Sequence, residues 1–289
     1  MRPVSFDYHR AENLENAVEL LAALGEDARP LAGGYSLVPL MNLRLARPQH
    51  LIDINSLDLN RIEHEGEIVR FGGLVHHFQY LNDPIVTKFM PLFGEVTRHI
   101  AHPTIRGRGT LGGSLAHADP TAELPLMAVL HDGVVLTISE RDKRRVPAAE
   151  FFQGAFKTAL NPDELIVGLE VPVASAGTAG AFFEFAERQG DFAIAAVGAC
   201  IRADNGCISE ARIACAGTSS ISVRSGDAEE FLVGRSLETP NGKEAGRILA
   251  SAHQPPDDIR ATSGYRKHLL AELTRRAVEK ACEDARQIA

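Results

Sequence analysis

The 289-residue chain contains no tryptophan and only four cysteines, Cys200, Cys207, Cys215 and Cys282, with no C-x-x-C pair among them. So few and so scattered thiols argue against a disulfide scaffold and against iron–sulfur ligation by this chain. Three of the four lie on segments that read as strands, where a free thiol behaves as a small buried hydrophobe. Positive charge is also short. The formal net charge is −8, and the densest basic cluster, "RDKRR" at 141–145, sits beside acids in an expected turn. A phosphate backbone needs a broader basic face than that, so nucleic acid is excluded as a partner. No apolar run approaches the roughly 18 residues that span a bilayer, and "MRPVSFDYHRAENLENAVEL" has no uninterrupted apolar stretch of the signal-peptide kind. No membrane span and a cytoplasmic location are therefore expected. Catalytic signatures are missing too: no Gly-Lys-Ser/Thr follows a glycine segment, and neither Ser36 nor Ser114 sits in a G-x-S-x-G elbow.

What is present is a patterned, 45% hydrophobic chain, long enough for about two domains of roughly 100–200 residues each. Asn13 can cap a helix with Leu14, Ala17, Val18, Leu21 and Leu24 at helical spacing, and Gly25 supplies a stop. A short apolar entry at Leu31 and Ala32 then meets Gly33 and Gly34, a possible helical turn, and a strand at 50–54. "EIVRFGG" (67–73) reads as a strand, and "DPIVTKFMPLFGEVTRHI" (83–100) as one amphipathic helix despite Pro91. "AELPLMAVLHD" reads as helix, "GVVLTIS" and "DELIVGLEVP" (163–172) as strands. "PVASAGTAGA" (172–181) carries no periodic apolar pattern and is the expected domain boundary. Beyond it, two apolar strands flank Asp204, Asn205 and Gly206, a strong hairpin signal. Two short helices follow, then a long final helix with Leu269, Leu270, Leu273, Ala277, Val278 and Ala281 on one face. The fold class is α+β.

Two glycine pairs stand out. Gly33 and Gly34 precede Tyr35 and Ser36; Gly112 and Gly113 follow Thr110 and precede Ser114. Without Cβ atoms, backbone N–H groups can approach an anion closely, and a turn of them makes a nest that a phosphate fills. Two such nests could clasp a pyrophosphate from both sides; the plainer alternative is two tight turns. The segment "GRGTLG" (107–112) also satisfies G-x-G-x-x-G, but its context is wrong for a Rossmann unit. "HPTIR" before it is no buried parallel strand, and "GSLAHADP" after it breaks at Pro120 instead of opening a long helix. A zinc site from His102, His117 and Asp119 lacks H-x-x-x-H or cysteine support, so a solvated or ligand-facing role is expected for these residues.

"AGGYSLVPLMNLRLARPQHLIDI" together with "IAHPTIRGRGTLGGSLAHADPTAELP" resembles the FAD-binding medium subunit of the molybdenum hydroxylases, the family of the carbon monoxide dehydrogenase medium chain and the xanthine dehydrogenase FAD domain. The resemblance covers essentially the whole chain. It implies an FAD-binding domain of the vanillyl-alcohol-oxidase-like (PCMH-type) fold over 1–173, in two α/β subdomains of about 1–57 and 58–173. A C-terminal α+β domain with a small antiparallel sheet and helices is implied over 178–289. It further implies that Ala32, Gly33, Gly34, Tyr35 and Ser36, flanked by Leu31 and Leu37, form the first pyrophosphate loop, with Arg29 reaching the diphosphate. Thr110, Leu111, Gly112, Gly113 and Ser114 are implied as the second, followed by Ala116. Ile100 and Ala101 would line the flavin pocket, His117 would approach the phosphate or ribityl region, Glu123 would bind the adenosine ribose, Ile166 would pack the adenine and Phe192 would lie over the isoalloxazine ring. Tyr35 stands where relatives often have His or Gln, and Glu184 where many carry a lysine near the flavin.

The implied function is an oxidoreductase subunit that passes electrons from partner iron–sulfur clusters through FAD to an external acceptor. Molybdopterin cytosine dinucleotide with molybdenum would lie on a large partner subunit and two 2Fe–2S clusters on a small one, in a dimer of heterotrimers. An N-heterocycle or other aromatic is the expected substrate, with carbon monoxide as the alternative. Two competing readings remain: a stand-alone flavoprotein with His76 or His77 as a base over the flavin, and a scaffold without flavin.

Overall fold

The computed structural model describes residues 2–217 and 220–288. The chain begins with β1 (Asp7–Arg10), α1 (Leu14–Leu24), β2 (Ala28–Leu31), α2 (Leu37–Asn42) and β3 (His50–Asp53). The three strands make a parallel sheet in the order β1-β3-β2. Helix α1 starts where expected because the Asn13 side chain accepts the Asn16 N–H at 2.8 Å, satisfying one of the donors that a helix N-terminus leaves orphaned. Its Ala17 and Leu21 are fully buried against Ile52 and Ala28 of the sheet.

A second sheet is antiparallel, in the order β4-β5-β10-β6-β7. Its strands are β4 (Ile62–Glu65), β5 (Ile68–Gly72), β6 (Val134–Ile138), β7 (Lys143–Pro147) and β10 (Leu165–Pro172). Between β5 and β6 come the helices α3 (Pro84–Phe89), α4 (Pro91–Thr97), α5 (Pro103–Arg106), α6 (Leu111–His117) and α7 (Glu123–Leu130). The single helix expected over 83–100 is two. Met90, with φ −138°, breaks it, because a residue before proline is pushed out of the helical region and Pro91 has no N–H to donate. The basic run at 141–145 is also not a turn throughout: from Lys143 it forms edge strand β7, with Arg144 paired to Glu164 and Arg145 to Glu170. A short helix α8 (Ala148–Phe151) and a two-stranded ribbon of β8 (Phe152–Gly154) and β9 (Lys157–Thr158) lead into β10.

The last sheet is antiparallel, β11-β12-β13-β14. It comprises β11 (Thr178–Phe185), β12 (Ala195–Asp204), β13 (Cys207–Ala216) and β14 (Val223–Arg224), followed by α9 (Gly226–Leu232), α10 (Gly242–Ala252) and α11 (Ser263–Ile288). Asn205 (φ 49°) and Gly206 (φ 76°) turn β12 into β13, both left-handed as a two-residue hairpin of the I′ kind requires. Strand β12 is a near-continuous apolar run because both its faces are covered. Ala196 and Cys200 join the core shared with α7, whereas Ala195, Val197, Ala199 and Ile201 pack against α11. Cys200 and Cys215 are buried, as expected of strand thiols, and so is Cys282 on α11; Cys207, the first residue after the turn, departs from that expectation and is exposed.

Candidate functional site

The first glycine segment leaves the C-terminal end of β2 and is fixed from beneath. Ile54 N–H donates to the Leu31 carbonyl at 3.1 Å. The Asn55 amide donates to the carbonyls of both Leu31 and Ala32 at 3.1 Å. Gly34 then takes φ 78°, a left-handed conformation that costs glycine nothing, and the chain curls into α2 with Val38 N–H donating to the Gly34 carbonyl at 3.0 Å. Among the described residues, the N–H groups of Gly33, Gly34, Tyr35 and Ser36 donate to no acceptor in the chain, and the Ser36 hydroxyl caps nothing. Four successive free amides beside a free hydroxyl form an anion-accepting concavity.

The second segment lies directly against the first. A Cβ placed on Gly33 would stand 2.1 Å from the Arg108 carbonyl oxygen, so the two backbones touch at that point. Support comes from two histidines. His77 N–H donates to the Gly109 carbonyl at 3.1 Å, and His76 Nδ1 lies 3.1 Å from the Arg108 carbonyl. The His77 ring sits under Gly109 so closely that a Cβ there would be 2.7 Å from it. Burial, with some help from His76 and Arg106, pulls the His77 pKa down to about 4. The His76 ring and the His77 backbone N–H therefore support the loop, with the His77 ring packed beneath Gly109.

The two segments are not equivalent, and the expected pair of nests is corrected to one. Leu111 N–H donates to the Val75 carbonyl at 2.9 Å and Gly112 N–H to the Gly73 carbonyl at 2.8 Å. Gly113 N–H donates to the Thr110 hydroxyl at 3.2 Å, which caps α6. The amides of this segment are thus engaged within the fold, and Leu111 is a core residue. Gly112 is required for contact rather than for an anion, since a Cβ would meet the Gly73 carbonyl at 2.8 Å. The half-buried Ser114 and the exposed Gly113 and Ala116 remain on the outer face of α6. That helix ends after seven residues at left-handed Ala118, in keeping with the rejected Rossmann reading.

A third group lies where α4 passes into α5. Arg106 donates to the carbonyls of Ile100 and Ala101 at 2.8 Å, holding Ala101 at φ 43°. The turn after β11 comes to the same place, because a Cβ on Gly190 would be 2.9 Å from the Ala101 carbonyl. Phe192 at the end of that turn is 58% exposed, so its ring is not core packing. Its carbonyl accepts from Arg260, and Phe185 and Tyr265 meet edge to face nearby on the same domain.

Four more of the expected residues have close neighbours within the chain. Arg29 donates to the carbonyls of Glu26 and Ala28 at 2.9 and 2.7 Å, which turns its guanidinium toward the start of β2 and away from the loop. Ile166 is 5% exposed and belongs to the core behind Gly73, because the strand's bulge at this point directs it inward. His117 packs on the Phe156 ring at 5.1 Å. Glu123, expected at a ribose, is buried at the start of α7. Burial pushes its carboxyl up to about 7, its own N–H opposing and Asp119 adding to the rise. Asn55, His76, His77 and Arg106 were not singled out by the sequence as loop supports, since nothing in their spacing distinguishes them from surface polar residues. Among the described residues, no cluster of three or more His, Cys, Asp or Glu could hold a metal ion, and no helix is long and apolar enough to cross a membrane.

One free-amide loop pressed against a second glycine segment, on a parallel sheet joined to an antiparallel one, defines a dinucleotide-binding protein that does not use the Rossmann arrangement. Residues 4–174 match the family described as "FAD binding domain in molybdopterin dehydrogenase", and residues 180–281 the "CO dehydrogenase flavoprotein C-terminal domain". The chain is 38% identical over 282 residues to the nicotine 6-hydroxylase medium subunit of Paenarthrobacter nicotinovorans, covering 97% of this chain and 99% of that one. It is 36% identical over 283 residues to the carbon monoxide dehydrogenase medium chain of Afipia carboxidovorans, covering 97% and 98%. The crystal structure of quinoline 2-oxidoreductase from Pseudomonas putida 86 superposes with a TM-score of 0.95 at 33% identity over 99% of both chains. The chain belongs to the FAD-binding medium subunits of the molybdenum hydroxylases, and its α+β architecture is that of their flavin-binding and C-terminal domains. It is an oxidoreductase subunit of a multi-subunit complex, with FAD as its own cofactor.

Proposed function

We propose that this chain relays electrons for a molybdenum hydroxylase acting on an N-heterocycle or related aromatic. The single observation that carries the cofactor assignment is the row of free amides at residues 33–36, backed by the close contact of Gly33 with Arg108. Flavin supplies one- and two-electron chemistry; the protein binds, orients and tunes it. Here the free amides and the Ser36 hydroxyl hold the diphosphate, with Tyr35, Leu31, Ala32 and Leu37 shaping the loop. Thr110 and Ser114 close it from the second segment, and Gly113, Ala116 and His117 border the chain toward the ring. Ile100, Ala101 and Phe192 flank the isoalloxazine. Residues 1–173, as subdomains of about 1–57 and 58–173, carry all of this site except Phe192, which belongs to the C-terminal domain, 178–289.

The substrate assignment rests on the nicotine and quinoline enzymes among the relatives, with carbon monoxide as the second reading because of an equally long match. The large molybdopterin subunit and the small iron–sulfur subunit complete a cytoplasmic dimer of heterotrimers. The test is to co-express the chain with its two partners, establish FAD content after heat release, and offer nicotine, quinoline and carbon monoxide in turn. Turnover of a heterocycle with an artificial acceptor supports the reading; turnover of carbon monoxide alone selects the second.

A further inference from the structure

Phe192, assigned above to the flank of the isoalloxazine, is 58% exposed, so the backbone on either side of it must fix where its ring stands. That backbone is the segment joining β11 to β12. Toward the FAD-binding domain, Gly190 presses on the Ala101 turn: a Cβ there would stand 2.9 Å from the Ala101 carbonyl and 3.2 Å from the His102 ring. From the C-terminal domain, two arginines hold the segment by its carbonyls. Arg260 donates to the Phe192 carbonyl, and Arg266, in the first turn of α11, donates to the Ile194 carbonyl at 2.6 Å. The same Arg266 nitrogen donates to the Gly217 carbonyl at 2.7 Å, and Gly217 N–H donates to the Pro120 carbonyl of the FAD-binding domain at 2.8 Å. Asp258 aligns both arginines. Its Oδ2 accepts from Arg266 Nη2 at 2.6 Å, and its Oδ1 accepts the N–H groups of Arg260 and Ala261 at 2.9 Å. Arg266 is 3% exposed, and its Nε is buried without a hydrogen-bond partner among the described residues. A buried guanidinium with one N–H unmet is a costly way to fill space, which an apolar side chain of like volume does more cheaply. What the guanidinium adds is a rigid planar fork that reaches two carbonyls and a carboxylate at once.

We propose that Arg260 and Arg266, aligned by Asp258, are positioning residues that hold Phe192 against the flavin ring and through it set the flavin's midpoint potential. This rests on the flavin reading given above and on the place of Phe192 in it. The two arginines act through the backbone. Arg260 holds the carbonyl of Phe192 itself, and Arg266 holds the carbonyl two residues on and ties it to Gly217. With Gly190 seated on the other side, the segment that carries the ring cannot lift from the Ala101 turn. An apolar ring held there keeps water from one side of the flavin, and the solvent access and polarity around a redox group are among the means by which a protein tunes it. A segment that comes loose admits water to that side and moves the potential.

The test has two arms. In the full chain without FAD, amide hydrogen exchange is followed peptide by peptide by mass spectrometry. R260M, and R266K, which keeps the charge but not the fork, should each speed exchange over 186–194 by about tenfold or more, with α1 and β10 unmoved. No change over 186–194, or an equal rise throughout the chain, would overturn the brace. R260M alters a half-buried side chain and decides the matter alone if R266K does not fold. In the FAD-loaded chain, R260M, R266K and F192A should each shift the flavin midpoint potential in the same direction. Added to F192A, either arginine variant should give no further shift, because its effect passes through the ring. An arginine charge acting on the flavin directly would add in full to F192A, and that result, or a wild-type potential in both arginine variants, would overturn the positioning role. Failure of the folded wild-type chain to take up FAD would overturn the flavin reading and the tuning with it, while the exchange result still decides the brace.

Discussion

Gly33 is the position at which the account is most exposed to a single atom. Replacing it with alanine puts a Cβ 2.1 Å from the Arg108 carbonyl oxygen and 3.2 Å from Gly109 Cα, and both neighbours are backbone, so no rotamer change relieves the clash. The two segments must part by about 1.3 Å to reach ordinary contact, a displacement of the kind that costs roughly 1–3 kcal/mol in a packed interior. Taken up entirely at the loop, that weakens FAD binding by roughly 5- to 150-fold. The assay is equilibrium titration of the FAD-free chain by quenching of flavin fluorescence, with circular dichroism to establish that the variant is folded. Gly264→Ala is the control. Its Cβ meets nothing within 4 Å and it lies in the first turn of α11, so it should leave affinity unchanged and stabilise slightly. A folded Gly33→Ala chain that binds FAD within twofold of wild type would refute the reasoning that the segment contact shapes the site.

Asn55→Ala removes the side chain that donates to the carbonyls of Leu31 and Ala32, and it should weaken FAD binding by roughly fivefold, about 1 kcal/mol, with the fold retained in the same titration. Asn13→Ala deletes the α1 cap and should lower unfolding free energy by about 1 kcal/mol in urea without touching FAD affinity. Stability should fall on both sides of a window between the ordinary carboxylate value of 4.5 and the ordinary imidazole value of 6.5. Burial holds His77 to about 4 and His131 to about 3, below the 6.5 of a free imidazole, so the unfolded chain binds more protons as pH drops. Their contribution is present above about 6.5 and is lost as pH falls toward 4. Glu123 and Glu184 have folded values raised to about 7 and about 8, so theirs is present below the ordinary carboxylate range and is lost as pH rises through 7 to 8. Urea midpoints measured against pH should show both limbs, and E184Q should flatten the alkaline one; a flat profile in wild type would contradict both assignments.

The parts of the fold written in local chemistry were legible: Asn13 and Gly25 at the ends of α1, the Asn205 and Gly206 turn, and the apolar stripe of α11. The break at Met90 was missed because helical periodicity continues through it, although the Pro91 backbone cannot. At the site, the glycine pairs picked out two segments that the structure presses together, but a pattern of glycines does not say whether the amides around them are free. The amides of residues 33–36 are free because no acceptor among the described residues lies in reach of their N–H groups. Those at 111–113 are engaged because Gly73, Val75 and Thr110 happen to lie under them, a tertiary fact with no sequence signal. Glu123 illustrates the same limit: an acid at a helix start reads as an exposed charge, and only tertiary packing buries it. Glu184 was marked as a departure from the lysine that many relatives carry, and the structure leaves its Oε2 shielded from solvent without a hydrogen-bond partner among the described residues.

The relay itself is tested most directly by flavin bleaching under anaerobic conditions. The FAD-loaded chain alone, mixed with a heterocyclic substrate, should keep its oxidised spectrum, and adding the molybdopterin and iron–sulfur partners should bleach it. Bleaching of the isolated chain by substrate, at the rate of the assembled complex, would contradict the account, because the electrons would then enter the flavin without the partner clusters.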